Sequence, residues 1–220
     1  MCGRFTLFTP LSQILPRFGI EDVPFDYVPS YNIAPTQTVF TIIPTDGGAK
    51  GALMRWGLIP AWRRDMKSAP TIINARAETL GEKVSFKGLV NHRRCLIIAD
   101  GFYEWKQVQS AKVPIYITIS ARGPFAFAGL WDLWRGRKNQ LVSSCTIITG
   151  KATSYFSSLH QRMPIILTEE EEKIWLSPKS FQEIKQVLIP KKTDNFTFTQ
   201  VSSFVNSPAN NSPQCIHPAG

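Results

Sequence analysis

The chain has 220 residues, 43% of them hydrophobic, which is enough for a sizeable core and argues against a disordered tail. Lysine and arginine outnumber aspartate and glutamate 25 to 16, and the formal charge of +9 favours an anionic partner, nucleic acid above all. No stretch of about 18 apolar residues is present to span a membrane, and the start has no basic, apolar and cleavable leader, so a soluble cytoplasmic protein is expected.

In chain order, PLSQILPRFGI (10–20) reads as a short helix broken by Pro16. FDYVPSYNIAPTQ (25–37) reads as a polar loop punctuated by prolines. TVFTIIPT (38–45) is a predicted strand turned by Asp46, Gly47 and Gly48, with GALMRWGLIP (51–60) as its partner. AWRRDMKSAP (61–70) is a basic loop carrying Trp62. TIINARAET (71–79) runs from an apolar strand into polar residues, and GEKVSFKGLVNHR (81–93) suits a short helix. CLIIADGFYEWK (95–106) reads as a strand leading into an aromatic loop. VPIYITIS, FAFAGLW, SSCTIIT and PIILT are further short strands. TEEEEKIWLS (168–177) is a predicted helix with Thr168 as its N-cap and Glu169–Glu172 as a solvated first turn. SFQEIKQVL is another helix, FTFTQVS a late strand, and residues 205–220 an irregular tail.

Strands dominate and do not alternate with crossover helices, which argues against a doubly wound or TIM arrangement. The expected fold is α+β: one compact domain over residues 1–220, built around a curved, largely antiparallel, barrel-like β-sheet with peripheral short helices.

The cysteines Cys2, Cys95, Cys145 and Cys215 are scattered and form no CxxC pair, so no zinc site or other metal is expected. Cys95 and Cys145 lie in apolar strands and read as buried core thiols. Cys2 is different. Once Met1 is removed it carries a free α-amine beside its thiol, with ordinary pKa values of about 7.7–8.0 and about 8.5. Asn74, Glu104 and His160 each follow or precede an apolar strand, where a rigid scaffold meets a loop. Together with Cys2 they supply a nucleophile, an amide, a carboxylate and an imidazole. Taken singly, each reads more readily as a structural side chain than as a functional one. His92 and His217 read as structural too. Arg4, Arg76 and Arg162 are interleaved with tryptophans such as Trp62 and Trp105, a combination that suits single-stranded nucleic acid, where cations follow phosphates and flat rings stack on bases.

The motifs MCGRF, YNIAPTQ, MRWGLIPAW, INARAET, RRCLIIADGFYEW, AGLWD and HQRMPIIL occur in the order found in the SRAP family, named for SOS-response-associated peptidase. The resemblance covers almost the whole chain. Ile98 departs from it, standing where a proline is common, as does CIHP in the tail, where an acidic residue often precedes the proline. The resemblance implies a protein that senses abasic sites in single-stranded DNA and becomes covalently attached to them. Cys2 resembles the crosslinking residue, and Asn74, Glu104 and His160 match the other active-site positions. Arg4 and Arg76 resemble phosphate-contacting positions. The amine and thiol of Cys2 suit a thiazolidine formed on the open-chain aldehyde of the abasic sugar, a product that an internal cysteine or a lysine cannot form. The family name adds an expected autopeptidase step that frees Cys2, and a lyase-type activity is a further expectation. No cofactor is required, and a monomer associated with the nucleoid is expected. Two other readings stay open: an N-terminal-nucleophile hydrolase of the amidotransferase kind, in which Cys2 attacks a carboxamide, and a plain single-strand-binding module.

Overall fold

In the computed structural model, residues 2–66, 71–119, 123–136, 140–190 and 196–219 are described. In chain order the strands are β1 (Arg4–Leu7), β2 (Ser30–Ile33), β3 (Thr38–Thr45), β4 (Gly48–Trp56), β5 (Asn74–Arg76), β6 (Arg94–Ala99), β7 (Gly101–Val108), β8 (Ala111–Ile119), β9 (Phe125–Arg135), β10 (Leu141–Lys151), β11 (Arg162–Pro164), β12 (Ile166–Leu167) and β13 (Phe196–Gln200). The helices are α1 (Leu11–Phe18), α2 (Val84–Lys87), α3 (Ser154–Ser157), α4 (Glu169–Leu176) and α5 (Phe181–Ile184).

β-branched and aromatic residues suit β3 to a strand, and it forms a hairpin with β4 in register from Thr38↔Arg55 to Thr45↔Gly48. β3 then pairs with β6, β6 with β9 and β9 with β10, all antiparallel. A short parallel contact between β10 and β4 closes the ring, so five strands form a closed barrel. Closure removes exposed edges and leaves the inward side chains fully buried. The second sheet is antiparallel, in the order β13-β8-β7-β1-β2. The expected α+β fold with a barrel-like sheet is the one observed.

Phe5 of β1 pegs the second sheet to the barrel. Its ring lies edge-on to Trp56 of β4 at 5.0 Å and to Phe127 of β9 at 5.8 Å. Burying a ring of this size contributes about 2–3 kcal/mol. Gly101, the first residue of β7, is required by close approach, because a Cβ there would come within 2.5 Å of the Tyr116 ring.

Several local expectations need correction. α1 continues through Pro16 to Phe18 and stops at Gly19, whose φ of 63° suits a left-handed C-cap. Ile14 anchors the helix in the core, which offsets the one hydrogen bond Pro16 removes. The expected loop 25–37 contains β2, which gains its partner only when β1 arrives. The FYEW segment belongs to β7 and is no loop. The predicted helix at 81–93 is only the single turn α2. Thr168 caps α4 in a capping box with Glu171, as expected. The acidic first turn is only half solvated, however. Glu171 and Glu172 are buried, and Glu172 takes a bidentate contact from Arg17 at 2.9 and 3.0 Å. The tail has 3-10 turns at Ser203–Asn206 and Pro213–Ile216 and a small core of its own, in which Val205 and Cys215 pack with Tyr103 and Tyr116. Cys95, Cys145 and Cys215 are free, buried thiols. Among the described residues, no helix is long and apolar enough to cross a membrane.

Candidate active site

Cys2 directly precedes β1. Arg4 lies opposite Tyr103 in the β1–β7 pairing, so Glu104, one residue on, comes alongside the start of β1. Strand alternation sets which side of β7 Glu104 takes, and packing of that side against the core buries it. Phe102 and Glu104 share the face turned to the main core, while Tyr103 and Trp105 face the tail. Sequence reasoning placed Glu104 in a loop because it could not tell which face of β7 points inward.

Asn74 arrives by a different route. β5 runs parallel to β10, with Ile147↔Asn74 and Thr149↔Arg76 in register. Trp56 donates from Nε1 to the Ile73 carbonyl at 3.0 Å, and Asn74 Nδ2 donates to the Cys2 carbonyl at 2.9 Å. Phe5, Trp56, Ile73, Asn74 and Cys2 therefore form a closed mechanical loop around the candidate nucleophile. Cys2 itself has no exposed surface. Burial, helped by the negative charge of Glu104, pushes its thiol well above the ordinary range.

His160 follows α3. Phe156 of α3 stacks on Phe102 at 6.0 Å, on the same face of β7 as Glu104, and the His160 N–H donates to the Phe156 carbonyl at 3.2 Å. The Arg162 N–H lies 2.9 Å from His160 Nδ1, and the Arg162 carbonyl lies 2.9 Å from the same nitrogen. A neutral Nδ1 accepts from the N–H, and a protonated Nδ1 donates to the carbonyl, so either state of that nitrogen has a partner.

The five expected DNA-contacting residues are placed unequally. Trp62 is 61% exposed, and Arg76 is exposed. Trp105 is partly buried and donates from Nε1 to Asn206 Oδ1 at 2.8 Å. Arg4 is drawn inward: Nη1 donates to Asn32 Oδ1 at 2.6 Å and to the Val205 carbonyl at 2.8 Å, with its guanidinium 5.6 Å from the Trp105 ring. Arg162 is paired with Glu78. The far end of the basic loop, residues 67–70, lies outside the described residues, as does Met1.

Asn32 was missed as a site-shaping residue. It is buried, accepts from Arg4 and donates to the carbonyls of Val205, Ser207 and Asn210. A buried amide in a short strand is the signal that points to it, but its tail partners are remote in sequence. No cluster of three or more His, Cys, Asp or Glu side chains suited to a metal occurs among the described residues.

A family model described as SOS response associated peptidase (SRAP) matches residues 1–208. The chain belongs to this family. Among its SRAP relatives, the abasic site processing protein YoqW of Bacillus subtilis (strain 168) is 45% identical, over 98% of this chain and 99% of its own. The abasic site processing protein HMCES of Rattus norvegicus is 31% identical, over 100% of this chain and 76% of its own. A crystal structure of a protein from Bacteroides thetaiotaomicron superposes with a TM-score of 0.88 at 28% identity, over 99% of this chain and 100% of that one.

Proposed function

We propose that this SRAP protein binds single-stranded DNA at abasic sites and forms a covalent thiazolidine with them through Cys2, shielding the lesion. The observation that carries this reading is the convergence of Asn74, from β5, and Glu104, from β7, on the N-terminal Cys2. The names of the relatives support the abasic-site part of it.

The chemistry balances without a cofactor. The closed sugar opens to its aldehyde when a proton reaches the ring oxygen and another leaves the C1′ hydroxyl, and His160 is assigned to this exchange. The Cys2 α-amine then adds to C1′, and loss of water gives the imine. Glu104 takes the proton from the amine and assists departure of the hydroxyl. Sγ finally adds to the imine carbon, and its proton ends on nitrogen. The buried, neutral thiol does not compete with the amine for the first addition. Asn74 Nδ2 holds the Cys2 carbonyl, leaving Asn74 Oδ1 as an acceptor for the amine. Exposed basic side chains, Arg76 foremost, hold phosphates.

The amine must first be freed. In the same reading, Glu104 takes the Sγ proton as Sγ attacks the Met1 carbonyl and returns it to the Cys2 nitrogen as that leaves as the amine, and water hydrolyses the thioester. Purified chain that retains Met1 should lose it on incubation, and more slowly as Glu104→Gln. Retention of Met1 by both proteins would assign the cleavage to another enzyme.

The decisive experiment compares intact and abasic single-stranded oligonucleotides on a denaturing gel. A band that survives denaturation is expected only with the abasic strand, and Cys2→Ala should abolish it while intact-strand binding stays within a few fold. A Cys2→Ala adduct of normal yield would refute the reading. Salt-sensitive binding that ignores base loss would favour the plain binding module, and glutaminase activity would favour an amidotransferase-like hydrolase.

A further inference from the structure

The guanidinium of Arg162 is already engaged by an anion. Nη1 donates to Glu78 Oε1 at 3.2 Å and Nη2 to Oε2 at 2.8 Å. Nη2 also donates to the Thr149 carbonyl at 2.7 Å, and Nε to Thr149 Oγ1 at 3.3 Å. The two halves of the arrangement differ. Thr149 belongs to β10 and is fully buried, so its two contacts are part of the frame. Glu78 lies at the water side, with its side chain 50% exposed against 17% for Arg162.

Glu78 also shares a short segment with Asn74 and Arg76, and the backbone of Arg162 holds the His160 ring. Arg162 and Arg76 keep the Glu78 carboxyl below its ordinary range, so it is ionised at neutral pH. Two carboxylate oxygens on a guanidinium fork have the geometry of two phosphate oxygens on the same fork. An exposed carboxylate pair is weak and screened, whereas a phosphodiester brings counterion release when it binds.

We propose that Glu78 is a positioning residue that stands in for a DNA phosphate on Arg162, holding the guanidinium fork ready until a phosphodiester displaces it. Thr149 keeps its two contacts throughout, so the exchange needs only the Glu78 side chain to swing into water. The proposal rests on the single-strand-binding reading but not on its covalent chemistry.

The test measures dissociation constants for an intact ten-nucleotide single strand, which cannot react, with wild type, Glu78→Gln, Arg162→Ala and the double variant. Glu78→Gln should bind about three-fold tighter, the scale of an exposed ion pair that no longer has to be broken. The gain should vanish in the Arg162→Ala background. Glu78→Asp, which keeps the charge but is too short to reach both Nη groups, should also bind tighter. Unchanged or weaker binding by Glu78→Gln overturns the proposal. So does a gain that persists without Arg162, which would make Glu78 a general repelling charge. A wild-type protein that binds intact strands but forms no adduct with abasic ones refutes only the covalent chemistry, and one that binds no single strand refutes both.

Discussion

The side-chain amide of Asn74 donates to the backbone carbonyl of Cys2 at 2.9 Å, and Asn74 Oδ1 is buried with no hydrogen-bond partner among the described residues. One side chain thus holds the candidate nucleophile through its nitrogen and keeps a buried acceptor on its oxygen. Asn74→Ala should cost about 1 kcal/mol of stability for the lost bond. It should slow adduct formation about ten-fold or more, because a misplaced nucleophile is penalised beyond the bond itself. Denaturant melts and single-turnover crosslinking measure the two separately. A full loss of stability with an unchanged rate would make Asn74 purely structural.

Arg4 joins the start of β1 to the tail through Asn32 and Val205. Asn32→Ala leaves several buried groups without partners and should destabilise the protein by about 2 kcal/mol or more. Arg4→Ala should lower both stability and affinity for single strands. Arg76→Ala, at an exposed position, should lower affinity alone and reduce the logarithmic salt slope by roughly 0.7. Thermal melts and salt titrations of the three variants check this. An Arg76→Ala slope equal to that of wild type would remove Arg76 from the phosphate-binding set.

His160 and Glu104 should separate by substrate. His160→Ala should slow reaction with a natural abasic site and leave reaction with an open-chain aldehyde on DNA much less affected, because no ring must open. Glu104→Gln should slow both, since amine addition and loss of water are common to them. Initial rates at saturating protein provide the comparison. Equal losses for both substrates in the His160 variant would overturn its ring-opening role.

The pair between Glu78 and Arg162 predicts a pH dependence. The folded-state pKa of Glu78 is depressed below its ordinary 4.5. Its stabilisation is therefore present above the unfolded-state value and is lost as the pH falls through the lower folded-state value. The difference in melting temperature between wild type and Glu78→Gln should be constant near neutrality and fade below about pH 4.5. Its size should be small, under about 1 kcal/mol, because the carboxylate is half exposed. A difference that grows on acidification would contradict the pairing.

Within the acidic start of α4, neighbours should behave differently. Glu172→Gln breaks a buried bidentate contact with Arg17 that ties α4 to α1, and should cost about 2 kcal/mol. For a domain of this length that is a fall of about 4–8 °C in melting temperature. Glu170→Gln, at an exposed position, should change it by less than about 0.5 kcal/mol. Similar effects for both variants would return the run to a uniformly solvated face.

The sequence by itself determined the local grammar of this protein. Runs rich in β-branched and aromatic residues such as TVFTIIPT and PIYITI specify strands because those side chains fit a pleated, packed surface. Thr168, three residues before Glu171, specifies a helix start because both side chains satisfy backbone N–H groups nearby. The ordered motifs also named the chemical groups, and Cys2 behind Met1 is legible as an amine and a thiol from covalent structure alone. Tertiary structure decided what surrounds those groups. The barrel closes through the parallel contact of Ser144 and Cys145 with Arg55 and Trp56, a pairing between segments that no local pattern encodes. Glu104 is buried because sheet packing, and not strand periodicity, selects the inward face of β7. Arg4 and Arg162 look alike in sequence as basic residues near aromatic ones. Their partners, Asn32 with Val205 and Thr149 with Glu78, are brought to them by remote strands and by the tail. Local sequence sets backbone periodicity and side-chain type. Long-range pairing sets burial and neighbours, and it is burial and neighbours that decide whether a charge is held, spent or free to act.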